Sequence, residues 1–235
     1  MSAAPPVWAV IVAAGRGTRF GAGRPKVHQR LLHNTVLGWS CEAFVGHPRI
    51  DAVVLVHAAD DPQIVSISCH GHPKLTLTLG GDDRASSVRA GLAAARAAGA
   101  RDDTLMLVHD GARPCVSPAE IDAVIEAAVA AGDDGALLAL PVTDTLKRHH
   151  WKQVQQTMPR DELARALTPQ AFRLGLLDAA LAAVDGAAVT DESSAMEQAG
   201  YQPRLVWGQA ANLKITYAED LALAAFWLQQ RSKSA

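Results

Sequence analysis

The stretch Gly15–Lys26, GRGTRFGAGRPK, sets four glycines, three arginines and a lysine directly after the apolar run VWAVIVAA. A loop of this kind can turn its backbone N–H groups toward a phosphate while Arg19 and Lys26 neutralise it. It is not a dinucleotide fingerprint, because Phe20 stands where Gly-x-Gly-x-x-Gly needs its third glycine. It is not a P-loop, because Lys26 lies between Pro25 and Val27 rather than between Gly and Ser or Thr. Pro25 fixes the backbone that presents the lysine. On this stretch alone, phosphate binding and a solvated basic loop stay equally open.

Further polar clusters weigh on that choice. GGDDRASSVRAGL follows KLTLTL, HDGARP closes TLMLVH, and PVTDTLKR closes GALLALPV. NLKIT, with Lys214, follows RLVWG. Singly, each reads as a capped helix start or a surface ion pair. Together they send several cations and the carboxylates Asp82, Asp83 and Asp110 to one edge.

The elements that must position them follow from the apolar pattern. Six runs read as strands: 7–13, 51–57, 74–79, 104–109, 135–142 and 204–208. Several are continuously apolar, as expected of strands covered on both faces. Helical patterns alternate with them. In SPAEIDAVIEAAVAAG, Ser117 is an N-cap, Pro118 opens the helix, Glu120 completes a capping box and Gly132 ends it. The same logic predicts a helix capped by Thr216 with Glu219, and another opening at Thr168 and Pro169. The alternation predicts an α/β fold: an open, mostly parallel twisted sheet with helices on both faces, binding ligands at the carboxyl ends of its strands. Thr143–Leu167 is polar and lacks helical period, and predicts an extended arm with a turn near His149–Lys152. No linker or repeat marks a second domain, so residues 1–235 read as one domain with 143–167 protruding.

The 235 residues carry a net charge of only −2, which excludes a global basic field for nucleic acid. No run is long enough to span a membrane, and the N-terminus lacks the basic start of a signal peptide. Three widely spaced cysteines argue against a disulfide framework and for a reducing cytoplasm. CHGH at Cys69–His72 holds metal-ligand types but no second pair at a fitting spacing, and reads as a polar loop.

Taken in order, AAGRGTRF, PK, GGDDRASSVRAGL, VHDGARP, PVTDTLKR, LTPQAF, TDESSAMEQAG and NLKIT resemble the 2-C-methyl-D-erythritol 4-phosphate cytidylyltransferases over roughly residues 7–225. The first motif is common to many nucleotidyltransferases; the full series is specific. HDGARP departs from the family in carrying Gly111 where alanine is usual. The resemblance implies a Rossmann-like nucleotidyltransferase fold and transfer of CMP from CTP to a polyol phosphate, releasing pyrophosphate, in non-mevalonate isoprenoid biosynthesis. It implies Mg²⁺ held mainly through the CTP phosphates, with no firm protein ligand. It also implies a homodimer clasped by the arm, with Arg160 acting on the partner's site. By the same resemblance Arg19, Lys26, Arg160 and Lys214 are catalytic. Ala13, Ala14, Gly15, Gly81, Asp82 and Ser87 bind the nucleotide, and Asp110, Arg113, Thr145 and Thr190 bind the polyol phosphate. The nearest alternative is a cytidylyltransferase for ribitol 5-phosphate.

Overall fold

The protein is described by a computed structural model covering residues 4–15, 20, 25–184 and 189–234. The first half contains β1 (Val7–Val12), β2 (Arg30–Leu31), β3 (Asn34–Thr35), α1 (Val36–Val45), β4 (Ala52–His57), β5 (Leu75–Leu79), α2 (Arg84–Ala97) and β6 (Leu105–Asp110). Next come α3 (Pro118–Ala131), β7 (Ala136–Pro141), β8 (Leu146–His150), β9 (Gln153–Met158) and β10 (Ala164–Arg173). The chain closes with α4 (Leu174–Ala183), α5 (Glu192–Gln198), β11 (Arg204–Trp207) and α6 (Asp220–Ser234).

Seven strands form one sheet in the order β11-β7-β10-β6-β1-β4-β5. Every neighbouring pair is parallel except the two that β10 makes, which are antiparallel. Helices α1 and α3 cover one face, where Leu37, Phe44, Ile121 and Ile125 pack with Ile11, Leu55 and Leu107. Helices α2, α4 and α5 cover the other, setting Val88, Leu92, Leu177 and Met196 against Val10, Val54 and Met106. Strand β6 is buried along its whole length, as a doubly covered strand must be. Helix α2 approaches β1 and β4 closely at Gly91, where a Cβ would lie 2.6 Å from Val10 Cγ1 and 2.9 Å from Val56 Cγ2. Gly111, the departure noted above, leaves room for Leu37: a Cβ there would meet Leu37 Cδ1 at 2.9 Å.

The six apolar runs all form strands, with ends within about a residue of the expected ones. The Ser117–Glu120 capping box forms as expected, and Gly132 ends that helix at φ 67°. Three sequence expectations need correction. Thr168 and Pro169 do not start a helix; they sit within β10, and α4 begins only at Leu174, with Arg173 as an N-cap that makes no side-chain bond. Strand β10 is a seventh strand of the sheet that the apolar pattern misses. The last helix is not organised by Thr216 and Glu219: Asp220 Oδ2 accepts from the N–H groups of Thr216 and Tyr217, at 2.7 and 2.8 Å, and the helix starts there.

The polar segment forms a hairpin of β8 and β9 that, among the described residues, pairs only with itself. Its turn is Trp151–Lys152, both at positive φ, which matches the right-handed twist of a two-residue hairpin. Residues Ala164–Ala166 already pair with β7, so the chain rejoins the sheet three residues before the expected end of the arm.

Candidate active site

A cleft of about 310 Å³ opens over the carboxyl ends of β1 and β6 and the N-terminus of α2. Ala13, Ala14, Gly15, Lys26, Gly81, Asp82, Ser87, Asp110 and Lys214 all line it. Nine residues expected at the site from sequence therefore meet in one place. Arg19 lies outside the described residues.

The nucleotide side is built by close backbone approach. Ala13 N donates to Val56 O at 2.8 Å, which ties the exit of β1 to β4. Gly80 passes so near this exit that a Cβ would sit 2.4 Å from Ala14 Cβ. Ser87, in the first turn of α2, accepts from Gly81 N at 3.1 Å and is almost wholly buried. Asp83 caps α2 in a reciprocal box with Ser86, and Asp82, Asp83 and Arg84 at this helix start line the cleft.

The floor is a charge cluster around Asp110, at the end of β6. Its Oδ2 lies 2.9 Å from Lys214 Nζ and 3.3 Å from Arg113 Nε, and its Oδ1 lies 3.5 Å from Arg84 Nε. Burial raises the carboxyl's pKa, but Arg84, Lys214 and Arg113 outweigh it and hold the group well below the usual carboxylate range. Asp110 is thus ionised at any working pH. Arg84 in turn forks onto Glu192, with Nη1–Oε1 at 2.6 Å and Nη2–Oε2 at 2.9 Å. Burial lowers the Arg84 pKa, yet Glu192 raises it further, so the guanidinium stays charged. Three cations, Arg84, Arg113 and Lys214, face two carboxylates, Asp110 and Glu192, in the floor, and Lys26, Asp82 and Asp83 stand on the rim.

Neutral groups hold this floor from behind. His109 is fully buried, which pushes its pKa down to about 4. Its Nε2 faces Arg113 O at 3.1 Å, and its Nδ1 faces Thr168 Oγ1 at 3.0 Å. Asp110 N donates to the same hydroxyl oxygen at 3.1 Å. The carbonyl can only accept, so Nε2 carries the proton and Nδ1 accepts from the threonine hydroxyl. The chain Asp110 N–H to Thr168 to His109 to Arg113 O is then satisfied throughout with the imidazole neutral. Asn212 completes the set, donating from Nδ2 to Thr168 O and accepting Arg113 Nη1 on its own carbonyl, at 3.0 and 2.9 Å. Ile215 N, bonded to Ala112 O at 2.8 Å, brings Lys214 over Asp110.

Four expected residues lie outside the lining. Arg113 sits behind Asp110, buried. Thr190 is exposed just before α5, with its N–H on Ser194 Oγ. Thr145 and Arg160 are exposed at the base of the hairpin, where Arg160 Nη1 donates to Thr143 O. The sequence reading missed Arg84, Glu192, His109, Thr168 and Asn212. A faint signal existed for the first two: Asp83-Arg84-Ala85-Ser86 and Asp191-Glu192-Ser193-Ser194 are matching helix starts with opposite charges at the same position.

A mostly parallel sheet covered on both faces, with its strand ends given over to a glycine turn, two lysines and a locked carboxylate, is built as a nucleotidyltransferase. The family model described as IspD: 2-C-methyl-D-erythritol 4-phosphate cytidylyltransferase matches residues 7–230. A relative of that name from Tolumonas auensis is 43% identical over 226 residues, 95% of this chain and 96% of its own. One from Halorhodospira halophila is 48% identical over 227 residues, 93% and 92% of the two chains. A crystal structure of 4-diphosphocytidyl-2C-methyl-D-erythritol synthase matches with TM-score 0.84 at 34% identity, covering 95% of this chain and 99% of that one. The Francisella tularensis 2-C-methyl-D-erythritol 4-phosphate cytidylyltransferase matches with TM-score 0.82 at 30% identity, covering 94% and 99%. The chain belongs to the 2-C-methyl-D-erythritol 4-phosphate cytidylyltransferase family.

Proposed function

We propose that this cleft joins CTP to 2-C-methyl-D-erythritol 4-phosphate. A phosphate oxygen of the polyol attacks the α-phosphorus of CTP, the bond from that phosphorus to the bridging oxygen breaks, and pyrophosphate leaves with the electron pair. Both reactants are anions, so the barrier is one of repulsion and alignment. Fixed positive charge and positioning lower it without a covalent enzyme intermediate. The observation that carries the proposal is the convergence of Lys26, Lys214, Asp110 and the Gly81–Ser87 turn on one cleft.

Lys26 and Arg19 grip the triphosphate and stabilise the crowded phosphorus. Lys214, held by Asp110, orients the attacking phosphate. Backbone groups at Ala13, Ala14 and Gly15 hold the nucleotide, and Gly81, Asp82 and Ser87 read the edge of cytosine. Asp110 receives the polyol hydroxyls, Arg113 behind it holds that carboxylate in place, and Thr145 and Thr190 complete the polyol phosphate site.

Magnesium fits this cleft as a companion of the triphosphate. Among the described residues no group of three or more His, Cys, Asp or Glu is gathered to hold a metal. Asp110 offers a carboxylate kept ionised, whose Oδ1 is engaged only by the 3.5 Å contact to Arg84. One carboxylate with phosphate oxygens and water is a common magnesium shell. The ion would neutralise phosphate charge.

On this account residues 1–235 are one nucleotidyltransferase domain. The hairpin clasps a second copy, and Arg160 reaches that copy's polyol phosphate. No helix among the described residues is long and apolar enough to cross a membrane, and the three thiols are free and buried, in keeping with a cytoplasmic enzyme. A pyrophosphate-release assay with CTP tests the proposal: 2-C-methyl-D-erythritol 4-phosphate should turn over, and ribitol 5-phosphate should not. Turnover of ribitol 5-phosphate alone would replace the first substrate by the second.

A further inference from the structure

The two helix starts that flank Asp110 are built alike. Asp83 caps α2 and Asp191 caps α5, each in a reciprocal box with a serine three residues on. The residue after each cap carries the opposite charge of its counterpart, Arg84 on α2 and Glu192 on α5. Their side chains meet in a two-pronged ion pair at 2.6 and 2.9 Å, with Glu192 only 1% exposed. The pair fastens one helix start to the other.

The far side of each helix start has its own duty. The α2 end holds Gly81, Asp82 and Ser87 in the cleft. The α5 end follows Thr190, and Asp191 there accepts Gln170 Nε2 at 2.9 Å while Ser193 N donates to Gln170 Oε1 at 2.8 Å. Gln170 belongs to β10, two residues beyond Thr168, which holds the Asp110 backbone. The planar guanidinium, fixed by both prongs, keeps its Nε toward Asp110 Oδ1. Arg84 thus links the α2 start at once to Asp110 and, through Glu192, to the α5 start.

We propose that Glu192 is a positioning residue that couples the two substrate sites, so that CTP bound beside the α2 start tightens the polyol phosphate bound at Asp110 and Thr190. Glu192 touches neither substrate; it acts by orienting Arg84. The inference rests on the cytidylyltransferase function proposed above. A salt bridge serving stability alone would leave the two affinities independent of each other.

The test is calorimetric titration of 2-C-methyl-D-erythritol 4-phosphate, with and without a saturating non-hydrolysable CTP analogue in magnesium buffer. Wild type should show at least about fivefold tightening by the analogue, the lower end of usual site-to-site coupling. Glu192→Gln should reduce it below about twofold. Breaking a buried pair on one side alone risks unfolding, so Arg84→Met/Glu192→Leu is measured in parallel; removing both charges together preserves packing. A thermal melt confirms that each variant is folded. Folded variants that keep the wild-type tightening, or a wild type that shows none while binding both ligands, overturn the coupling. A wild type that binds neither ligand overturns the proposed function instead.

Discussion

The floor of the cleft and the hairpin arm satisfy their polar groups in opposite ways. Around Asp110, Arg84, Arg113 and Lys214 all find carboxylate partners within the chain, and the neutral groups behind them close a continuous hydrogen-bonded chain. On the arm, Trp151 is 86% exposed and Val154 65%, and among the described residues the hairpin strands pair only with each other. Two exposed strands are marginal on their own, whereas the charged groups of the floor hold one another in place. Preorganised charge suits catalysis, because no reorganisation is then required when the reacting phosphates approach.

The sharpest way to break this contrast is to remove the centre of the floor. Asp110→Asn leaves the buried Arg113 without its carboxylate and Lys214 without its ion pair, while Arg84 keeps Glu192, and should cost about 3–5 kcal/mol in chemical denaturation. A loss under about 1 kcal/mol would show that the floor is not the rigid unit described.

Lys26→Ala comes next. It should lower turnover by about 10²–10³-fold, with a much smaller change in CTP affinity. Wild-type turnover would remove Lys26 from the chemistry. Mixing this subunit with an Arg160→Ala subunit should restore part of the activity if the arm completes its neighbour's site. Heterodimers that form and stay inactive would count against that.

The third test uses pH. His109 is neutral when folded, with its pKa lowered to about 4, while unfolded histidine takes a proton near 6.5. Its contribution is complete above pH 6.5 and is lost as the pH falls toward 4, by about 3 kcal/mol in all. Asp110 is likewise depressed, so its contribution is complete above the unfolded carboxylate value of about 3.9 and is lost only below it. His109→Gln should flatten the denaturation profile in the upper window and leave the lower one; a slope unchanged between pH 6.5 and 4 would refute the neutral, buried assignment.

The smallest effect belongs to the arm. Trp151→Ala should move the stability of the isolated chain by less than about 0.5 kcal/mol, yet weaken self-association in analytical ultracentrifugation. A large loss of stability without a change in association would mean that the tip packs on its own chain.

Strands covered on both faces announce themselves by continuous apolar runs, so six of seven were legible, along with the loops they feed. β10 hid because Thr168-Pro169 imitates a helix start. Pro169 cannot donate to a ladder, and the register with β7 shifts between Ala166 and Gln170, where the strand steps past it. The rim of the cleft was readable because glycines and cations cluster locally. Its floor was not: Arg84 and Glu192 are 108 residues apart, and His109 and Thr168 are 59. No local pattern tells which distant charge a buried arginine will meet.

Strand β10 also has a mechanical meaning. It leaves the arm at Ala164 and ends at Arg173, pairing first with β7 and then with β6, and with both at Gln170 and Ala171. Its ladder bonds run across the strand axis. Tension applied to the arm therefore loads those bonds together, in shear, rather than peeling them one by one. The arm can be tugged while Thr168, a few residues further along the same strand, keeps its grip on the backbone of Asp110.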